Sequence, residues 1–453
     1  MREGSLDAPV RHPIAWQSPD FIDEEKLDQE LRRVFDICHG CRRCFNLCDS
    51  FPRLFDLIDD SKSGELDTVA SKDFAPIVEA CTLCDMCFLT KCPYVPPHEF
   101  NIDFPHLMVR FRAAQLKKGE ISRVTRRLTE TDKNGKLGGN FSSLANWASK
   151  RSNVVTRSLM ENTIRIHRDA ALPKFEKKRF SRNSYEPSIN QKAPAYGRKA
   201  IIFSTCFVEY NNTDIGLATR SVLAKNGVET TTAYPSCCGM PQLEHGDFER
   251  VAAHAIKTAT ELMPWVEKGY DVIAPIPSCA LMLKFEWPLV VPENELVKKL
   301  AKATFDVSEY MADINKKEGL TDGLKPLGKV LIHVACHSRA QNMGQKGVEI
   351  LRSIPDTEIR VIERCSGHGG SWGVMKDNFG TALKVGKPVA RQAATALDDG
   401  IEHIVSECPL AREHILQGTE GLATLDASNI SSVQHPIQLL ARAYGLESNE
   451  ALE

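Results

Sequence analysis

Two stretches of the chain are nearly alike and decide the fold of its C-terminal half. Residues 199–206 are KAIIFSTC, and residues 329–336 are KVLIHVAC. Each stretch is a short apolar run of strand length that ends in cysteine. Three pairs of cysteines keep the same register, with offsets of 130, 128 and 129 residues: Cys206 and Cys336, Cys237 and Cys365, and Cys279 and Cys408. We interpret this half of the chain as a duplicated domain.

The pattern within each copy favours an α/β unit. Helical segments at 248–268 and 379–399 separate the apolar runs, and alternating strands and helices are typical of a mostly parallel sheet. In such sheets, ligand-binding groups gather at the carboxyl ends of the strands. We therefore expect the cysteines that follow predicted strands to converge at one end of each sheet: Cys206, Cys279, Cys336 and Cys408.

Two dense groups of cysteines precede this half. The first has the spacing C-x2-C-x2-C-x3-C and consists of Cys38, Cys41, Cys44 and Cys48. The second has the spacing C-x2-C-x2-C-x4-C-P and consists of Cys81, Cys84, Cys87 and Cys92. Three cysteines two residues apart wrap one corner of an iron–sulfur cube, and in two-cluster ferredoxins the fourth binds the other cube.

This spacing predicts two [4Fe–4S] clusters with crossed ligands. One set is Cys38, Cys41, Cys44 and Cys92, and the other is Cys81, Cys84, Cys87 and Cys48. The alternative is zinc, but zinc sites usually combine two separated C-x2-C pairs. Residues 49–80 favour helix, so we expect an α-helical ferredoxin module.

The duplicated copies differ in their cysteines. The first copy has four candidate ligands of a third cluster: Cys206, Cys237, Cys238 and Cys279. The second copy has Cys336, Cys365 and Cys408, with Ser366 at the position of Cys238. Either these three also hold a cluster, with His337, Ser366 or His368 as a further ligand, or the copy is degenerate and its cysteines only pack.

Repeated C…CCG…C patterns behind a two-cluster module resemble the cysteine-rich CCG iron–sulfur proteins. This family includes heterodisulfide reductase B subunits, glycolate oxidase iron–sulfur subunits, lactate-utilisation iron–sulfur proteins and C subunits of anaerobic glycerol-3-phosphate dehydrogenases, the last being the nearest likeness. The segments HVACH (333–337) and CSGHGGSWG (365–373) carry that likeness, which extends over residues 31–445. We expect the glycines of the second segment to let the backbone approach a metal site closely.

The resemblance implies two clusters in the ferredoxin module and a redox or cluster site in the CCG module. Family members that cleave heterodisulfides end each copy with C-x-x-C, whereas Met282 and Ala411 stand at those positions here. Together with Ser366, these residues remove thiols that such chemistry uses. The resemblance therefore disfavours a heterodisulfide reductase activity for this chain.

The expected fold class is α+β and multidomain, with an α-helical two-cluster ferredoxin module followed by two duplicated α/β CCG domains. The predicted units are an N-terminal arm (1–30), the ferredoxin module (31–105), a basic helical linker (106–195), CCG copy 1 (196–325) and CCG copy 2 (326–445).

Charge is distributed unevenly along the 453 residues. Residues 1–105 carry 20 acids and 11 bases, whereas residues 106–200 carry 22 bases and 7 acids. The basic part suggests contact with anionic lipid or an acidic redox partner, and nucleic acid is not expected. Its apolar positions fit helical spacing: Phe141, Leu144, Ala148, Val155 and Leu159.

The expected location is the cytoplasm, with peripheral contact at the inner face of the membrane as an option. The sequence has no signal-peptide pattern and no apolar run of membrane-spanning length. In a reducing compartment, 15 cysteines favour metal or redox chemistry over disulfides.

These observations together suggest an iron–sulfur electron-transfer subunit. It would pass electrons from a partner flavin dehydrogenase, or another redox protein, to quinone or another acceptor. The alternatives are a heterodisulfide-reductase-like enzyme, an electron donor to a rubrerythrin-type peroxidase, and a zinc-bound scaffold. No catalytic residue is assigned, and the chain is expected to serve an oxidoreductase rather than oxidise the substrate itself.

Overall fold

The computed structural model describes residues 8–424 and 430–446. The first seven residues of the predicted arm (1–30) lie outside the described residues, as do residues 425–429 of the predicted second copy (326–445). The described chain combines helices with two parallel sheets, so the expectation of a mixed α and β protein is confirmed.

The N-terminal part is helical. Its α-helices are α1 (Glu24–Cys41), α2 (Ser50–Asp59), α3 (Ala75–Glu79) and α4 (Phe104–Lys118). Helix α1 begins inside the predicted arm because the carboxylate of Asp23 caps it, accepting a hydrogen bond from the Lys26 amide at 2.9 Å. Its buried face carries Leu27 and Leu31, four residues apart, and its last turn supplies Cys38 and Cys41.

The basic region that follows contains short helices. They are α5 (Arg123–Leu128), α6 (Thr131–Asn140), α7 (Ser142–Ser149) and α8 (Val154–Thr163). The helical spacing predicted for this region is therefore present. However, Phe141, Leu144, Val155 and Leu159 are exposed, so helical spacing here does not correspond to a buried face.

The first sheet is parallel and has the order β2–β1–β3–β4. Its strands are β1 (Lys199–Phe203), β2 (Glu229–Ala233), β3 (Asp271–Ala274) and β4 (Thr304–Asp306). In β1, Ile201 lies opposite Thr231 on one side and Val272 on the other. The accompanying helices are α9 (Thr205–Tyr210), α10 (Thr213–Lys225), α11 (Met240–Leu243), α12 (Phe248–Val266), α13 (Pro277–Leu281), α14 (Trp287–Val290), α15 (Glu295–Ala303) and α16 (Val307–Lys317).

The second sheet is parallel and has the order β6–β5–β7. Its strands are β5 (Gly328–His333), β6 (Thr357–Ile362) and β7 (His403–Ser406). Ile332 of β5 lies opposite Val361 and Val405. The accompanying helices are α17 (Cys336–Ala340), α18 (Lys346–Arg352), α19 (Phe379–Asp398), α20 (Pro409–Thr419) and α21 (Pro436–Ala443).

Shorter turns complete the secondary structure. The 3-10 turns are Pro19–Phe21, Leu66–Thr68, Ser71–Phe74, Phe180–Arg182 and Trp372–Val374. The π-helical turns are Cys87–Lys91 and Met282–Glu286.

The two sheets correspond beyond their strand order. Asp306 caps α16 in a capping box with Glu309, and His435 caps α21 in a capping box with Gln438. His435 lies 129 residues after Asp306, which is the offset between Cys279 and Cys408. Where the first sheet has β4, the segment before α21 makes only scattered backbone bonds, such as that from the Ser406 amide to the Gln434 carbonyl at 3.0 Å.

A buried ion-pair network joins the N-terminal arm to the rest of the molecule. The Arg11 guanidinium bonds Asp85 at 2.7 Å, Asp103 at 2.9 Å and Glu286 at 2.9 Å. These carboxylates come from the second cysteine group, the residue before α4 and the segment before α14. Loss of the guanidinium or of a carboxylate would leave an uncompensated buried charge. The network therefore holds these segments together.

One large hydrophobic core extends from α1 through the first sheet and reaches one face of the second sheet. A smaller core lies on the other face of the second sheet, where Leu331 and Ile404 pack against α19 and α20. Among residues 8–424 and 430–446, no helix combines the length and the apolar character needed to cross a membrane.

Candidate functional site

The cysteines that follow the strands line one shared cavity. Cys206 follows β1, Cys279 lies in α13 after β3, Cys336 begins α17 after β5, and Cys408 precedes α20 after β7. The sequence predicted convergence at one end of each sheet, and the structure places all four around a single cavity of about 380 Å³. The thiols that line it are Cys84, Cys206, Cys238, Cys279, Cys336, Cys365 and Cys408.

The four cysteines of the first sheet form a continuous series of contacts. The Cys206 thiol donates to Cys237, and this bond together with burial raises the pKa of Cys206. Hydrogen bonds from Cys206 and Cys238 lower the pKa of Cys237. Cys238 also contacts Cys279. The four side chains predicted to hold a third cluster are therefore neighbours.

The backbone around Cys237 and Cys238 is held on several sides. The Gly239 amide donates to the Cys237 sulfur at 3.5 Å, with Gly239 in the left-handed conformation at φ +87°. The Cys238 carbonyl accepts a 2.9 Å bond from the indole of Trp287, which is fully buried. The Cys237 amide donates to Asp132 at 3.1 Å. Asp132 lies on α6, so the basic region supports this site.

The cysteines of the second sheet are arranged differently. The Cys336 thiol contacts both Cys365 and Cys84, and these contacts with burial raise the pKa of Cys336. The hydrogen bond from Cys336 lowers the pKa of Cys365 to about 7. Cys408 stands apart from this pair, with Cys279 as its thiol neighbour. Cys84 thus reaches the second sheet from the N-terminal part.

The N-terminal cysteines lie in two groups of neighbours, while the crossed ligand sets stay a prediction. Burial raises the pKa of Cys38, and repulsion from Cys92, Cys44 and Cys41 adds to that shift. Burial likewise raises the pKa of Cys87, with further repulsion from Cys84, Cys81 and Cys48. Cys92 thus lies beside the first three cysteines, and Cys48 lies beside the second three.

Two links connect these sets with each other and with the cavity. Cys44 of the first set is also among the charges that raise the pKa of Cys87 in the second set. Cys84 of the second set contacts Cys336 in the cavity. Ten cysteines, the eight N-terminal ones with Cys336 and Cys365, are therefore linked by such interactions, and four of the other five line the shared cavity with them.

The donor chemistry of these sets fits iron–sulfur clusters. Thiolates are soft ligands that select iron–sulfur clusters, zinc or copper(I), and each N-terminal set offers four. Within the described residues, no group of three or more His, Cys, Asp or Glu side chains converges on the position of a single metal ion. The backbone amides that donate to sulfur, from Gly239 and Gly367, suit thiolate ligands.

Several polar side chains accompany the thiols in the cavity. Burial, with the nearby His414, lowers the pKa of His368 to about 3, and its buried Nε2 has no hydrogen-bond partner among the described residues. His337 is occupied, because its Nδ1 accepts from the Ser278 hydroxyl at 2.8 Å and its Nε2 donates to the Leu83 carbonyl at 3.1 Å. Of the second copy's suggested extra ligands, His368 is the one with a free nitrogen.

Glu244 is a cavity residue that the sequence did not single out. Burial raises the pKa of its carboxyl to about 7. Its backbone carbonyl accepts a 2.8 Å bond from Arg112, which also donates to the Val78 carbonyl and to the Cys81 carbonyl. Arg112 therefore ties this edge of the cavity to the second cysteine group.

The glycine-rich segment after Cys365 serves packing against α19. A Cβ at Gly367 would lie 2.0 Å from the Ala382 carbonyl, and one at Gly386 would lie 2.2 Å from the Ser366 carbonyl. At Gly367 the close approach is thus to a helix backbone, whereas Gly369 and Gly370 line the thiol cavity. This contact holds Ser366 and His368 at the cavity wall.

Three further site features were missed by sequence reasoning. Asp132 lies 40 residues after Cys92, the cysteine nearest to it in sequence, and Glu244, six residues after Cys238, has no local pattern that marks it. The contact between Cys84 and Cys336 spans 252 residues and cannot be read from spacing. The equivalence of Asp306 and His435 could have been found, because Glu309 and Gln438 also lie 129 residues apart.

Comparison with known proteins adds a domain and several relatives. A cysteine-rich CCG domain matches residues 200–284, which include the first four-cysteine site. The C subunit of anaerobic glycerol-3-phosphate dehydrogenase from Escherichia coli (strain K12) is 28% identical over 320 residues, covering 70% of this chain and 76% of the relative.

Two other relatives match shorter parts of the chain. The B subunit of fumarate reductase (CoM/CoB) from Methanothermobacter marburgensis is 28% identical over 257 residues, covering 55% of this chain and 47% of the relative. Lactate utilization protein A from Geobacillus sp. (strain WCH70) is 28% identical over 217 residues, covering 46% of this chain and 82% of the relative. The predicted resemblance to CCG proteins and to the glycerol-3-phosphate dehydrogenase C subunit is confirmed.

Proposed function

We propose that this chain is an iron–sulfur electron-transfer subunit of an oxidoreductase complex. It takes electrons from a partner flavin dehydrogenase or another redox protein and delivers them to quinone or another acceptor, with peripheral contact to the membrane. The observation that carries the proposal is that Cys84 of the N-terminal sets contacts Cys336 in the cavity that thiols from both sheets line. The relatives, which include dehydrogenase and reductase subunits, support it.

Twelve cysteines form the main ligand sets of the proposal. Two [4Fe–4S] clusters are held by Cys38, Cys41, Cys44 and Cys92 and by Cys48, Cys81, Cys84 and Cys87, and a third is held by Cys206, Cys237, Cys238 and Cys279. The second sheet contributes Cys336, Cys365 and Cys408 as weaker candidates. Such clusters supply one-electron transfer at potentials set by charge, burial and hydrogen bonds to sulfur.

The chain's own residues bury and order these thiols. Cys87, Cys237, Cys238 and Cys279 are buried, so solvent is kept from those sulfurs. Amides of Gly239 and Gly367 donate to sulfur and stabilise negative charge there. The Trp287 indole holds the backbone carbonyl of Cys238, and the Asp132 carboxylate holds the backbone amide of Cys237.

We also propose that the two sheets are copies of one CCG domain behind an α-helical ferredoxin module. The supports are the repeated central strand, with β1 between β2 and β3 and β5 between β6 and β7, and the matching capping boxes. Under this proposal, the predicted boundaries at residues 31, 106, 196 and 326 delimit the modules.

A second candidate function is an enzyme that acts on a disulfide in the cavity. It is favoured by the meeting of thiols from both sheets around one space of about 380 Å³. Against it stand Met282 and Ala411, which replace thiols at equivalent positions. An assay of anaerobic protein with thiol and heterodisulfide substrates separates this candidate from the carrier.

The main test is the iron and acid-labile sulfide content of the full chain purified without oxygen, together with EPR of the reduced form. We expect about twelve irons per chain, from three four-iron clusters. About eight irons per chain would mean that the cavity holds no cluster and that the chain is a carrier with two clusters. Zinc without sulfide would overturn the proposal.

A further inference from the structure

Helices α6, α7 and α8 present an unusual number of large apolar side chains to solvent. Of the large apolar side chains that are exposed in the described chain, nearly half lie between residues 137 and 159. We call this surface the α6–α8 apolar face. Its members are 56–79% exposed: Leu137, Phe141, Leu144, Trp147, Val154, Val155 and Leu159.

The spacing of these residues places them together on the outside of each helix. Leu144 and Trp147 are three residues apart on α7, and Val155 and Leu159 are four apart on α8, so each pair shares a helix face. Single exposed apolar residues are ordinary, but seven within 23 residues of chain, along three consecutive helices, mark an interaction surface.

The side chains on the inner sides of the same helices are polar or small. Arg157 of α8 is 1% exposed and donates to the carbonyls of Arg168 at 2.8 Å, His167 at 2.7 Å and Ala170 at 2.7 Å. On α6, a Cβ at Gly138 would lie 2.6 Å from the Phe175 ring. The helices are thus fixed to the protein from within, and their apolar sides are left outside.

The segment that forms the α6–α8 apolar face carries charges of one sign, although Glu130 and Glu420 from outside it pair with Lys133 and Arg151. Residues 133–160 contain five lysines and arginines and no aspartate or glutamate. Lys136 and Lys150 are exposed and form no ion pair with another described residue. Exposed lysines beside tryptophan, phenylalanine and leucine are typical of helices that lie in the interface of an anionic bilayer.

We propose that the α6–α8 apolar face binds the surface of an anionic lipid bilayer, with the helices lying in the plane of the interface. The apolar side chains enter the boundary between headgroups and acyl chains, and Lys136 and Lys150 contact lipid phosphates. The absence of acidic residues from 133 to 160 favours lipid over a basic protein partner, and the width of the apolar group favours lipid over a purely electrostatic contact.

Helix α6 connects this face with the thiol cavity. Thr131, Asn134 and Gly135 line the cavity, while Lys136 and Leu137 are exposed beside the apolar face. A bilayer bound there lies next to the cavity, so a lipid-soluble acceptor can reach the thiols without crossing bulk water. This consequence rests on the proposed electron-transfer function, whereas lipid binding itself deepens only the peripheral membrane contact of that proposal.

The test is flotation of the full anaerobic chain with vesicles of phosphatidylcholine alone and of phosphatidylcholine with phosphatidylglycerol. We expect binding to the anionic vesicles that weakens with salt. The double variant Val155→Asp with Leu159→Asp should bind at least about ten-fold more weakly, because two buried apolar contacts become charges facing an anionic surface. Lys136→Gln and Lys150→Gln should each weaken binding about five-fold.

The matched control is Ile256→Asp, at an exposed apolar position on α12 that should leave flotation unchanged. Because Val155 is 79% exposed, its variant should keep the wild-type far-UV circular dichroism and iron content. Absence of wild-type binding to anionic vesicles, or equal binding by the double variant, overturns the proposal. If the wild type binds no vesicles but forms a dimer, and the double variant is a monomer, the lipid proposal is overturned and the face belongs to a contact with a second copy of the chain.

The two proposals fail separately. Normal iron content without flotation overturns the lipid surface and the peripheral membrane contact but leaves the electron-transfer role, and flotation of a chain that lacks iron and sulfide overturns only the electron-transfer role.

Discussion

The two sheets carry the same strand pattern but different thiol sites. The first site is complete within its own sheet, with four cysteines in a continuous series of contacts, three of them buried. The second site has a contacting pair, Cys336 and Cys365, and its third thiol contact comes from Cys84 in the N-terminal part. The comparison teaches that, of two similar parallel sheets in one chain, one can hold a self-contained site while the other forms a junction with the N-terminal part.

The strongest way to break this comparison is to change the position at which the two sites differ. Cys238→Ser should remove the third cluster and lower the iron content by about four per chain. Ser366→Ala, at the equivalent position of the second copy, should leave iron unchanged, because Ser366 only accepts a long 3.4 Å bond from the His368 amide. Iron and sulfide analysis of the two anaerobic variants measures the difference; equal losses would mean that the sites are not distinct.

The next difference between the two sites is that a buried aromatic side chain, Trp287, supports only the first. Trp287→Ala should cost about 4 kcal/mol of unfolding free energy, because it removes a fully buried ring and the bond to the Cys238 carbonyl. Leu416, which lies 129 residues later in the second copy, is only partly buried, so Leu416→Ala should cost about half as much. Denaturant unfolding followed by circular dichroism compares them, and a similar loss from both would contradict this asymmetry.

The helix caps at equivalent positions should respond to pH with opposite sign. Burial raises the pKa of Asp306 to about 6, so the folded state holds this proton more tightly than the unfolded state does. The contribution of this carboxyl to the unfolding free energy is therefore full below about pH 4 and is lost as pH rises to about 6. Asp306→Asn keeps a capping side chain and should gain up to about 3 kcal/mol at pH 7 but nothing at pH 4, as unfolding measured at both pH values would reveal.

The corresponding cap of the second copy is destabilised by acid. Burial lowers the pKa of His435 to about 3, and its Nδ1 accepts a 3.1 Å bond from the Ile437 amide. The contribution of this imidazole to the unfolding free energy is full above about pH 6.5. It falls as pH drops towards 3, because only the unfolded state then gains the proton. His435→Asn should be about 2 kcal/mol more stable than wild type at pH 5 and unchanged at pH 8; a gain at pH 8 alone would contradict this account.

The parts that could be predicted from sequence are those that local pattern controls. The apolar runs before Cys206 and Cys336 became parallel strands, and residues 248–266 and 379–398 became helices, because periodicity and length decide such elements. The basic region also formed helices at its apolar spacing. That its apolar residues face solvent was not predictable, because helical spacing shows that residues share a face but not which way that face points.

The sequence alone therefore determined the strand and helix types and the resemblance to CCG proteins, and it predicted the repeat and the crossed grouping of the N-terminal cysteines. These depend on residues a few positions apart, or on a register repeated about 129 residues later, and both are visible in one chain. Only the tertiary structure decided that both sheets share one cavity, that Cys84 meets Cys336, and that Asp132 and Glu244 belong to the site. Such contacts depend on how whole helices and sheets pack, since spacing constrains neighbours in sequence and leaves distant segments free until the core closes around them.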